Sequence, residues 1–316
     1  MGKIRTLELL GLLTASCIDG DYDLRKIETD NVTIGDENST FEAPLVKVFV
    51  SMDDINSSDG TRIDLIFEEA GIWLPDRLPD RDENGYYADV QRLLHDAAYV
   101  NNEILPALLE QMDSDPAKLD EVATLLEKSY YTHFADLLPG VQQDGFKEAF
   151  VESYTQYPAL HEKLEAEVRS LAAGYLTGLD VNMDNLTYPV ERIDISDDIV
   201  NMLADNLDPR ETVDPKNTLH LAGTVDNRLP VTLQIAPLFS PTEVTFTTTI
   251  AANNPANELP ETRLFAEDLQ TIVRGITLDI PIVVEKFYPD KGFDTSTDQV
   301  AINLHLIKRG ALKFDL

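Results

Sequence analysis

Cysteine is nearly absent from this chain: one in 316 residues, at Cys17. A single thiol excludes a disulfide framework and a cysteine-rich zinc module. Basic residues are also scarce, 25 Lys and Arg against 57 Asp and Glu, for a formal net charge of −32. Neutralising a phosphate backbone needs clustered cations, so no nucleic-acid partner is expected. The five histidines, His95, His133, His161, His220 and His305, fall in no zinc-binding spacing. A Gly-x-Ser-x-Gly elbow, a Gly-Lys-Ser/Thr phosphate loop and a Gly-x-Gly-x-x-Gly fingerprint are missing as well. What is present is an apolar fraction of 43%, enough for a sizeable core. The length suits about two domains, or one domain carrying an insertion.

Residues 1–16 read as a secretory signal. Lys3 and Arg5 form a basic start, Leu7 to Leu13 a short apolar run, and Thr14, Ala15 and Ser16 are small. The run is too short to span a membrane, which takes about 20 apolar residues. Cys17 follows the small residues directly, and Asp19, Asp21 and Asp23 alternate in the Ile-Asp-Gly-Asp-Tyr-Asp-Leu stretch after it. This layout resembles the lipobox of bacterial lipoproteins. The acidic run after the cysteine is similar to that of uncharacterised surface lipoproteins of Bacteroides-type bacteria. The resemblance covers about residues 7–24 and implies location alone: acylation of Cys17, anchoring in the outer membrane and an outward-facing chain. Several acyl chains on one residue would anchor it stably, where a single chain binds only marginally. The alternative is a buried N-terminal helix with a free thiol. Residues 17–40 read as an acidic tether.

Patterning then divides the chain. Phe41–Val50 is strand-like, with Val46, Val48 and Val50 on one face, and the 41–67 region is expected to pair with the C-terminal part. Residues 75–86, with Pro75, Pro79 and Gly85, read as a loop. Residues 87–176 carry helical spacing, including Phe146, Phe150 and Tyr154 at fours, which reads as core. Residues 177–316 alternate as strands do; Val244–Ile250, Ile276–Ile282 and Val300–Leu306 are the clearest. The fold class expected is α+β: an antiparallel β-sandwich with an inserted or adjacent antiparallel helical bundle. Insertion follows if Phe41–Val50 joins the C-terminal sheet; two consecutive domains are the alternative.

The sharpest local motif is Asp80-Arg-Asp82-Glu-Asn84-Gly85-Tyr86. Oxygen ligands at positions 1, 3 and 5 and a glycine at 6 match the start of a calcium loop, with the Tyr86 carbonyl at 7. Gln91 stands where a bidentate glutamate belongs, so a site here would be weak. The alternative is a polar turn that caps the next helix. Other acid groups, Asp290, Asp294 and Asp298, Asp197-Asp198, and Asp205 with Asp208, read as solvated faces.

The function expected is a lipid-anchored envelope protein of non-catalytic binding or scaffolding type. Its partners would be the membrane, through the lipid on Cys17, and a glycan or protein. No cofactor is expected beyond possible calcium. The competing readings are a glycan-processing enzyme using two carboxylates, and a calcium-stabilised adhesin.

Overall fold

The computed structural model describes residues 32–51, 60–181, 186–193, 196–294 and 296–314. Cys17, the signal segment and the first part of the tether lie outside the described residues.

The chain begins with β1 (Val32–Ile34) and β2 (Thr40–Ser51), followed by α1 (Ile63–Ile72). A hairpin of β3 (Asp80–Asp82) and β4 (Gly85–Asp89) leads into a helical stretch. That stretch comprises α2 (Val90–His95), α3 (Ala97–Tyr99), α4 (Leu105–Ser114), α5 (Pro116–Leu125), α6 (Phe146–Gln156) and α7 (Pro158–Thr177). Then come β5 (Leu186–Val190), α8 (Asp197–Asp205), β6 (Thr218–Asn227), β7 (Val231–Ile235), β8 (Leu238–Ser240), β9 (Thr248–Ile250) and β10 (Asn254–Leu264). The chain continues through α9 (Ala266–Arg274), β11 (Ile276–Ile280), β12 (Ile282–Phe287), β13 (Gln299–Arg309) and β14 (Leu312–Phe314).

The strands form antiparallel sheets in the orders β10-β6-β13-β2, β3-β4-β12-β7-β9, β5-β11-β8 and β1-β14. With its helices grouped mostly between residues 63 and 177, the protein is α+β. β2 pairs along its length with β13, 248 positions or more away in sequence for every pair from Thr40–Arg309 to Ser51–Gln299. Val50 meets Val300, Val48 meets Ile302 and Val46 meets Leu304. The register then shifts between Leu304 and His305, where β2 carries Leu45 as an extra residue. Along β13 the alternation continues unbroken against β6, so Leu304 and Leu306 keep to the core side, Leu304 buried and Leu306 half-buried.

Local chemistry sets the helix ends. Asp115 caps α5 by accepting from the Ala117 amide, and Pro116 stands at the first helical position, where its missing N–H costs nothing. Asp89 caps α2 and Ser196 caps α8 in the same way. Phe146, Phe150 and Tyr154 are buried on one face of α6, as their spacing predicts, and stack in series with Phe134. α7 packs on α2, α4 and α6.

One apolar core runs through helices and sheets together. Phe67 of α1 lies 4.6 Å from Phe287 of β12, and both rings stack near Phe293. Within the strands, Val50 and Ile302 of one sheet, Leu186 and Ile280 of a second, and Leu233 and Ile250 of a third line the same small apolar void.

Three sequence expectations need correction. Residues 75–86 are not all loop, because Asp80–Asp82 pairs with Gly85–Tyr87 as a hairpin that continues the β12 sheet. Val244–Ile250 is strand only at Thr248–Ile250. Val244 instead accepts from the Phe239 amide, and Thr245 bridges to Leu238, so this end is used to close the turn after β8. The 41–67 region does not all pair as strand, because Ile63–Ile72 forms helix α1, burying Ile63, Phe67 and Ala70 on one face. β10 keeps Pro255 and Pro260 because it is an edge strand, where a missing N–H breaks no ladder.

Candidate binding cleft

The structure gives Asp80, Asp82, Asn84 and Tyr86 to the hairpin, not to a wrapping loop. Asp80 and Asp82 are two apart on β3 and so share a face, and each carboxylate meets protein donors. Asp80 Oδ2 accepts from the Tyr99 hydroxyl at 3.2 Å and from Arg92 Nη1 at 3.3 Å. Asp82 Oδ2 accepts from Lys286 Nζ and the Tyr288 hydroxyl, both at 2.8 Å, and its Oδ1 accepts from the Asn84 amide at 2.9 Å. Burial pushes the Asp82 carboxyl up, but these three donors and the Lys286 charge outweigh it and hold the group below the ordinary carboxylate range. Tyr86 pairs across the hairpin with Arg81, whose guanidinium lies 5.1 Å from its ring centre. Gln91 donates to the Val284 carbonyl. Among the described residues, no group of three or more His, Cys, Asp and Glu is arranged to hold a metal ion.

The other acid groups have local work. Asp294 and Asp298 close a turn, with the Asp294 amide donating to Asp298 and Ser296 donating to Asp294. Asp208 accepts from the amides of Lys216 and Asn217, and these bonds hold it below the ordinary carboxylate range. Asp197 stands in the first turn of α8, where negative charge complements the helix dipole, and pairs with Arg192 at 3.5 Å.

A concavity lies elsewhere, between α1, the segment after α5 and α7. It is an open cleft of about 620 Å³, within the range of small-molecule sites. α1 supplies Leu65, Ile66 and Glu69. After α5 the backbone passes through one π-helical turn (Leu126–Tyr130) and a 3₁₀ turn (Tyr131–Phe134). This change of pitch sets Tyr130 and His133 on the cleft wall; π turns within helices recur at functional sites. α7 supplies Leu171, Gly174, Tyr175 and Gly178, an i, i+3, i+4, i+7 stripe on one helix face.

The two glycines open this stripe. A Cβ at Gly174 would meet nothing within 4 Å. Gly178 ends the helix by donating to the carbonyls of Gly174 and Tyr175, so close that a Cβ would stand 2.8 Å from the Gly174 oxygen.

The wall is hydrogen-bonded across elements. The Tyr130 hydroxyl donates to Glu69 Oε1, and the Tyr175 hydroxyl donates to the Ile66 carbonyl at 3.0 Å. Burial pushes both phenols well above their ordinary value, and the Glu69 carboxylate adds to the rise at each. At Tyr130 the Trp73 indole N–H works the other way; it lies beside the hydroxyl but outside hydrogen-bond geometry, the rings meeting edge-on at 5.8 Å. Both tyrosines therefore stay neutral donors at any ordinary pH. His133 lies 6.1 Å from the Tyr130 ring, with Nδ1 3.8 Å from Glu167. Asp180 also lines the cleft, Leu65 is half-exposed, and among the described residues no lysine or arginine lines it.

Sequence reasoning did not single out this wall. Its successive parts are some 40 to 60 positions apart, and the first, at Leu65 and Ile66, falls in the 41–67 region whose pattern reads as strand. The one local signal was Gly174 and Gly178, four apart on an otherwise well-formed helix, which fit helix-end punctuation equally well.

Comparison with known proteins adds no relative: no family model, no curated protein and no solved structure matches the chain. Among the described residues, no helix is long and apolar enough to cross a membrane.

Proposed function

We propose that this is a lipid-anchored cell-envelope protein of non-catalytic type that holds a small molecule in the cleft between α1 and α7. The single observation that carries the binding role is the cleft itself: about 620 Å³, with apolar walls and a few convergent polar groups, Glu69, Tyr130, His133 and Tyr175. The location rests on the basic start, short apolar run and small residues before Cys17, and on the acidic run after it. The lipid on Cys17 holds the chain to the outer membrane, facing outward. In this reading the strand layers act as an antiparallel sandwich, and the inserted helices form a bundle that carries the site.

Two experiments test it. Ligand-observed NMR with a library of small molecules, run on the full chain and on Gly174→Leu, reads the cleft. Binding by the parent that the variant loses supports the site; equal binding by both removes it. External protease digestion of intact cells, beside fractionation of Cys17→Ser, reads the address. A chain protected from protease, or a variant still held in the membrane, contradicts it.

A second reading has one observation in its favour. Glu69 and Asp180 line one cleft, and a glycan-processing enzyme of the two-carboxylate kind uses such a pair. Hydrolysis of a glycan substrate that Glu69→Gln abolishes would establish that reading in place of the first.

A further inference from the structure

Resting on the reading of this cleft as a binding site, we propose that its ligand is an organic cation: a compound whose positively charged nitrogen is carried on an apolar skeleton. Glu69 and Asp180 line the cleft, and among the described residues no lysine or arginine does. Glu69 spends one acceptor position on the Tyr130 hydroxyl, and an ionised carboxylate has about four. A neutral ligand laid over the Glu69 carboxylate would strip water from it and return no charge. An anionic ligand would add repulsion. A cation restores what desolvation removes.

The walls fit the same chemistry. Tyr130 and Tyr175 bring two aromatic rings to the site, and a tyrosine ring attracts a cation by its quadrupole, more strongly once water is excluded. Their hydroxyls are already committed, one to Glu69 and one to the Ile66 carbonyl, so the rings are held in place before a ligand arrives. Leu65, Ile66, Leu171 and Leu179 give the skeleton an apolar surface to cover. The chain carries a net charge of −32, and a concave, low-dielectric site focuses such a field, raising the local concentration of cations.

The test uses choline and its neutral isostere 3,3-dimethylbutan-1-ol, which have the same shape and differ by one charge. Both are titrated by calorimetry and saturation-transfer NMR into the full chain, Glu69→Gln and Gly174→Leu. The glutamine still accepts from Tyr130, so the wall is kept and only the charge is removed; melting curves verify that each variant folds. The expected result is that choline binds the parent at least about tenfold more tightly than the isostere. Glu69→Gln narrows that gap, and Gly174→Leu removes binding of both. The inference is overturned if the isostere binds as tightly as choline, if choline binding survives Gly174→Leu (charge attraction without a site), or if choline does not bind. In that last case, neutral or anionic library compounds that bind the parent but not Gly174→Leu would leave the cleft standing as a site, whereas no such compounds would remove the site as well.

Discussion

Tyr130 and Glu69, 61 positions apart in the chain, are joined by a 2.5 Å hydrogen bond from phenol to carboxylate. The bond ties the irregular turn after α5 to the middle of α1 and forms one wall of the cleft. Tyr130→Phe removes the donor and leaves the Glu69 carboxylate with less compensation. Denaturant unfolding should register a loss of about 1–3 kcal/mol, the usual range for a hydrogen bond to a charged group. An unchanged midpoint would mean that this contact does not hold the wall.

The glycines of α7 give a pair of opposite sign. Gly174→Ala places a methyl where nothing lies within 4 Å, and replacing a mid-helix glycine by alanine gains roughly 1 kcal/mol. Gly178→Ala drives its methyl against the Gly174 carbonyl oxygen at 2.8 Å, so that variant loses stability. Thermal melts of the two variants should move in opposite directions. Equal shifts would contradict the packing described at this helix end.

Asp82 carries an acid dependence whose direction follows from its partners. Its folded-state affinity for a proton is held below the unfolded value near 3.8, burial being outweighed by Lys286, Tyr288 and the Asn84 amide. As pH falls, the unfolded chain takes up this proton first, so the stabilisation is complete above the ordinary carboxylate range and is lost as pH drops through the folded value. Asp82→Asn should cost about 1–3 kcal/mol at neutral pH and flatten the acid limb of the stability curve. The cost should be equal in calcium and in chelator, because the partners are a lysine, a tyrosine and an amide. A cost that appears only in calcium would make Asp80–Gln91 a metal loop.

His220 predicts a second, higher window. Burial first, then the nearby positive charge of Arg309, lowers its affinity for a proton from an ordinary value near 6.5, against the opposing pull of Glu261. The unfolded chain therefore binds this proton more readily. Stability is full above the unfolded value and falls as pH drops from about 6.5 through the folded value. Between about pH 7 and pH 5, His220→Gln should show a shallower decline than the parent. A steeper decline would reverse the sign assigned here.

Much of the fold was legible because it rests on periodicity. Val46, Val48 and Val50 alternate, so a strand at 41–50 could be read, and its need for a partner pointed to the C-terminal strands it meets in β13. Phe146, Phe150 and Tyr154 repeat at fours and are core. What escaped has no period long enough to see. β3 is three residues, Asp-Arg-Asp, with no β-branched side chain; its strand geometry comes from the register with Gly85–Tyr87. β10 is eleven residues with prolines at 255 and 260, which fit only because the strand lies at an edge. The bulge at Leu45 likewise shifts the β2–β13 register by one residue and leaves no mark in either sequence pattern. The cleft was illegible for a different reason. Glu69, Tyr130 and Tyr175 meet only after three helices pack, and the π turn that aims Tyr130 leaves no mark in composition.

The most direct test of the central claim is the ligand-observed NMR comparison of the full chain with Gly174→Leu. The account predicts that compounds bind the parent, protect the Tyr130 and Tyr175 rings, and are lost when a leucine side chain fills the cleft. Binding that persists unchanged in a folded Gly174→Leu, or a parent that binds nothing, would contradict it.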